Sequence, residues 1–102
     1  SNFINDRRRF SFEGIVLVSI IINSDLSIHK NIKITANGLS NFDSKIILEL
    51  FKEIFLKDYI KMNSEKKSSD TIMSEIIKKS VRLSLKSQSS KKPEVKTHII
   101  RL

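Results

Sequence analysis

Residues 15–22 read Ile-Val-Leu-Val-Ser-Ile-Ile-Ile, and no division of them leaves a polar side. Such dense β-branching favours a strand, in which successive side chains point to opposite faces of a sheet. Ile15, Leu17, Ser19 and Ile21 would line one face, and Val16, Val18, Ile20 and Ile22 the other. Both faces need cover, and a chain of 102 residues has little material to supply it. A bilayer span is not an option, because the run has eight residues and a spanning helix needs about 20. Arg7-Arg8-Arg9 before the run imitates the start of a secretion signal. Ser19 interrupts the apolar stretch, however, and Asn23-Ser24-Asp25 follows it in place of a small-residue cleavage site. The expectation is a cytoplasmic protein with no membrane partner.

The rest of the chain supplies the other elements of one small domain. Residues 1–10 read as a polar linker or arm, with Ser1-Asn2 resembling a cloning remnant, and residues 11–102 as the domain. Short polar side chains at 23–25 favour a turn. A second strand is expected from Asn31 to Ala36, where Ile32, Ile34 and Ala36 alternate with Lys33 and Thr35. Asn37-Gly38 closes it. Ser40 and Asp43 form a capping pattern ahead of a first helix, Ser44 to Met62, whose apolar face is Ile46, Ile47, Leu50, Phe51, Ile54 and Phe55. After a polar break at 63–69, a second helix runs from Ser69 or Asp70 to Lys86. Ser87 to Lys92 is a connector, Pro93 bars further helix, and residues 95–102 read as a last strand. The fold class is α+β, in the order β-β-α-α-β, with two helices packed on one face of a three-stranded sheet.

Two helices of this length shield one face, so the first strand's other side is left bare. Val16, Val18, Ile20 and Ile22 are the candidate interface residues, although the pattern alone does not say which face the helices take. The cover is either a partner surface, in a second copy of the chain or another domain, or the N-terminal arm folding back through Phe3, Ile4 and Phe10.

Composition removes several kinds of chemistry. Without cysteine there is neither a disulfide framework, nor a thiolate zinc site, nor a cysteine nucleophile. With just two histidines, His29 and His98, a zinc site would have to recruit Asp or Glu. Phosphate-binding glycine loops and nucleophile elbows are missing, and Glu49 with Glu53 is ordinary helix-surface patterning. The chain is therefore expected to be no enzyme on its own and to carry no cofactor. Its positive signal is charge. Residues 1–51 hold six basic and five acidic side chains, whereas residues 52–102 hold thirteen and six. Lys78, Lys79, Arg82 and Lys86 share one quadrant of the second helix, with Glu75 placed to pair with Lys79. Together with Lys91 and Lys92 they are candidate phosphate contacts for RNA, a solvated helix face being the plainer reading. No aromatic is interleaved for base stacking.

Three segments carry a family resemblance. Arg8-Arg9-Phe10-Ser11-Phe12-Glu13-Gly14-Ile15-Val16-Leu17-Val18 is similar to an entry motif of Arg-Arg, apolar, x-x-Asp-Gly-Ile-Val-Val-Val. Ala36-Asn37-Gly38-Leu39 stands where the family has Ser-Arg-Gly-Phe. Lys91-Lys92-Pro93-Glu94-Val95 through Ile99-Ile100-Arg101-Leu102 is similar to its closing basic-basic-Pro segment and last strand. In register, these segments make the chain resemble the C-terminal domain of ribonuclease J, a nuclease of the metallo-β-lactamase and β-CASP group. Asn37 and Leu39 depart from the family's Arg and Phe, and Glu13 replaces its Asp.

The resemblance implies a non-catalytic domain that supports dimerisation and full activity of an RNA-degrading or RNA-processing parent. In that family, upstream domains hydrolyse RNA with two divalent metal ions, zinc or manganese. Partners would be a second copy, the upstream catalytic domains, or both, with RNA reached through the parent. The competing reading is an autonomous basic nucleic-acid-binding module built on the second helix and the Ser/Lys connector.

Overall fold

A computed structural model describes residues 14–39, 42–86 and 92–102. The elements are β1 (Ile15–Ile22), β2 (Lys33–Asn37), α1 (Ser44–Tyr59), α2 (Ser64–Lys67), α3 (Asp70–Lys86) and β3 (Glu94–Arg101). The expected α+β order holds, with a short third helix added inside the polar break. Ser40 and residues 87–91 lie outside the described residues, as does the arm.

Local chemistry sets most boundaries. Asp43 caps α1, its carboxylate accepting from the backbone N–H groups of Lys45 (3.0 Å) and Ile46 (3.3 Å). The helix stops at Tyr59, short of the expected Met62. The backbone tightens there, with Lys61 N–H donating to Asp58 and Met62 N–H to Tyr59. Asn63 then starts α2 by accepting from Lys66 N–H at 2.8 Å, which a period-3.6 reading of apolar positions does not register. Ser69 takes the same role for α3, its hydroxyl 3.3 Å from Ile72 N–H.

The sheet order is β2-β1-β3, so the all-apolar strand is the central one. It pairs antiparallel with β2 and parallel with β3, with Val18 beside Ile34 and Thr97. Val16, Val18, Ile20 and Ile22 form the floor of the core, each at most 1 % exposed. Ile47, Phe51 and Phe55 of α1 and Met73, Ile77 and Val81 of α3 pack on them. Phe51 and Phe55 stack with ring centres 5.3 Å apart, and Tyr59 continues the row at 5.6 Å. The assignment of Val16, Val18, Ile20 and Ile22 to an interface is therefore corrected. The helices take that face, and the bare side of the sheet is the opposite one.

Candidate docking face and basic surface

Neighbouring residues across a sheet point the same way, so register defines the uncovered face. Its central row is Ile15, Leu17, Ser19 and Ile21. On the β2 side stand Asn37, Thr35 and Lys33, beside Ile15, Leu17 and Ser19. On the β3 side, Glu94, Lys96, His98 and Ile100 accompany Ile15, Leu17, Ser19 and Ile21. Ile15, Leu17 and Ile100 are 43 %, 42 % and 36 % exposed, and no described element covers them. The result is an apolar stripe with a polar border that carries Lys33 and Lys96. The fold-back of Phe3, Ile4 and Phe10 lies outside the described residues.

The basic residues from Lys78 to Arg101 do not form one surface. Arg101 is engaged: its Nε lies 2.8 Å from Asp70 Oδ1, and its Nη2 donates to the Lys67 carbonyl at 2.7 Å. Lys96 belongs to the sheet face. Lys79, Arg82 and Lys86 are exposed on the outer side of α3 with Lys78 half-buried beside them, opposite the arc of Met73, Ile77, Ser80, Val81, Ser84 and Leu85. None of these four cations forms an ion pair among the described residues, and the expected Glu75–Lys79 pair is not made. Lys92 is exposed just ahead of β3, and Lys91 lies outside the described residues.

Arg101 also belongs to a latch that sequence reasoning missed. Tyr59 Oη donates to the Leu26 carbonyl at 2.6 Å, and Lys67 Nζ sits 4.7 Å from the centre of the Tyr59 ring. Leu26 holds a positive φ of 69°, unfavourable for a branched side chain. Asp25 supports that turn by accepting from Ser27 N–H and its hydroxyl, bonds that lower the Asp25 pKa. The sequence clue was the lone tyrosine, at the end of an apolar helix face. Burial raises the Tyr59 pKa above its ordinary value of 10.0, Arg101 opposing the rise and Asp25 adding to it. The folded state thus holds the phenolic proton more tightly than the unfolded chain does. Stability falls as pH climbs past about 10. Tyr59→Phe should cost about 1 kcal/mol at pH 8 and remove that alkaline loss, as read by urea unfolding at both pH values.

No three His, Asp or Glu side chains among the described residues gather within reach of one metal ion. No described helix is long and apolar enough to cross a membrane.

Residues 2–102 match the model of the ribonuclease J C-terminal domain family. The chain belongs to that family. No curated protein sequence is significantly similar to it. The fold explains why two of the three motif segments of this ribonuclease J C-terminal domain contain glycine. Gly14 has φ +97°, and a Cβ there would lie 2.8 Å from the Asn37 carbonyl oxygen and 3.0 Å from the Gly38 carbonyl carbon. Gly38 has φ +79° and packs against Gly14 in return. The entry motif and the turn after β2 therefore meet; Gly14 leaves no room for a side chain, and at Gly38 the positive φ disfavours one. Asn37, at the motif position where Arg is usual, is exposed beside Ile15 on the open face.

Proposed function

We propose that this domain is a non-catalytic docking piece of a ribonuclease J-type nuclease, pairing with a second copy of itself through the open sheet face. The observation that carries the reading is the row Ile15, Leu17, Ile21 and Ile100, exposed or half-buried on the open side of a central strand whose other side is fully buried. An apolar centre inside a polar border is the composition of a protein interface core and rim. Two such faces can stack as aligned sheets about 10 Å apart, hiding both stripes at once. The family resemblance implies dimerisation, which favours a second copy over an unrelated partner. Phosphodiester hydrolysis by two metal ions would then belong to the parent's upstream domains, in the cytoplasm, and the role here is to hold two parent chains together.

Sedimentation velocity tests this. The 102-residue chain should sediment as a dimer at high concentration. Because a two-fold interface repeats every residue, Leu17→Lys acts in both copies and should weaken pairing by about 2–4 kcal/mol, about 30- to 1,000-fold. A strict monomer at millimolar concentration would defeat self-pairing and leave the upstream domains as the occupant of the face.

A further inference from the structure

The outer side of α3 is a second surface, separate from the sheet face and on the opposite layer of the domain. Taking Lys78 as reference and 100° per residue, Arg82, Lys86 and Lys79 follow within about a quarter turn. From Lys78 to Lys86 they extend about 12 Å along the axis. A cation near a helix C-terminus is favoured by the macrodipole, which accounts for Lys86 and partly for Arg82. It does not account for Lys78 and Lys79 in the middle of the helix. Carboxylates do not neutralise the group either: Glu75 lies in the same quadrant and pairs with none of them.

The position of this patch also matters. Asp70 meets Arg101, and Ser74 Oγ lies 2.8 Å from Thr97 Oγ1, so α3 runs antiparallel to β3. Its cationic end therefore returns toward the start of β3, where Lys92 is exposed. Gly14 carbonyl accepts from Glu94 N–H at 2.9 Å at that same end, so the chain enters the sheet there.

We infer that the Lys78–Lys79–Arg82–Lys86 face of α3 is an RNA-backbone contact that registers phosphates without reading bases. Membership of a family of RNA-degrading enzymes favours RNA over other polyanions as the occupant. The contact does not depend on dimerisation, since it uses none of the sheet-face residues. A strand laid along the helix would be held by point charges alone, with binding independent of sequence and strongly salt-dependent.

The test is fluorescence anisotropy of a labelled oligouridine with the 102-residue chain, titrated at several salt concentrations. Four phosphate contacts on a single strand give a log–log slope of about −2.8, an affinity loss of about 50-fold between 50 and 200 mM salt. Lys78→Glu, Lys79→Glu and Arg82→Glu together should lower affinity at least about tenfold and flatten the slope to about −0.7, with sedimentation unchanged. Glu75→Gln should strengthen binding by about twofold, a gain that a misfolded variant does not produce. The inference is overturned if the slope is near zero, if the triple variant keeps its circular dichroism and binds as well as the parent, or if Glu75→Gln shows no gain. It is equally overturned if phosphatidylserine vesicles or polyglutamate of matched charge bind as tightly as the RNA. Loss of self-association by Leu17→Lys with RNA binding intact keeps this result distinct from failure of the docking reading.

Discussion

Val18→Lys should leave the domain unfolded at room temperature, while Leu17→Lys, one residue earlier on the same strand, should leave it folded. Val18 is 0 % exposed beneath the helices, whereas Leu17 is 42 % exposed on the open side. An ammonium at position 18 would have no partner in a pocket lined by Ile, Val and Phe. Discharging it, or opening the core to water, costs on the order of 4–5 kcal/mol or more. A domain this small lies near the lower end of the usual range, about 5 kcal/mol, so little or nothing remains. At position 17 the lysine stands beside Thr35 and Lys96 in water, and the change in stability should stay within about 1 kcal/mol. Far-ultraviolet circular dichroism and a urea titration of both variants decide the matter. If Val18→Lys folds and Leu17→Lys does not, the two sides of the sheet have been assigned the wrong way round.

Phe55→Ala should be the most damaging truncation in the helical layer. Its ring is fully buried between Phe51 and Tyr59, in a stack along the second half of α1. Removing it loses the transfer energy of the ring and leaves a cavity that two stiff neighbours close only partly, about 3–5 kcal/mol. For about 100 residues that corresponds to a fall in melting temperature of roughly 15–30 °C, measurable by calorimetry. Ile60→Ala, 74 % exposed at the end of the same helix, should change it by less than about 3 °C.

The strands, the two long helices and their caps were legible because each rests on local chemistry. Asp43 bonds to residues two and three positions on, and the alternation in β2 is a property of five consecutive side chains. The helical layer's choice of face was not legible, because both sides of residues 15–22 are apolar and a period of two carries no information when every position is greasy. That choice depends on register. Val18 sits beside Ile34 in the antiparallel pairing, so the apolar side of β2 recruits the even-numbered side of β1. Residue patterning supplied the element order, and neither it nor the resemblance said which side the helices take. The latch was hidden for a similar reason. Tyr59, Leu26, Lys67, Asp70 and Arg101 come from five segments, and nothing local to Arg101 shows that it engages Asp70 and a carbonyl.

The central placement of β1 has a mechanical consequence. Whatever precedes Gly14 is attached to the one strand held on both sides, and the chain leaves β3 at the opposite end of the parallel ladder. A pull on β1 from that side is resisted by both of its ladders at once, eight register positions with β3 and five with β2, and none is peeled away singly. A domain tethered in this way resists being pulled apart by movements of its neighbours far better than one whose linker enters at a sheet edge.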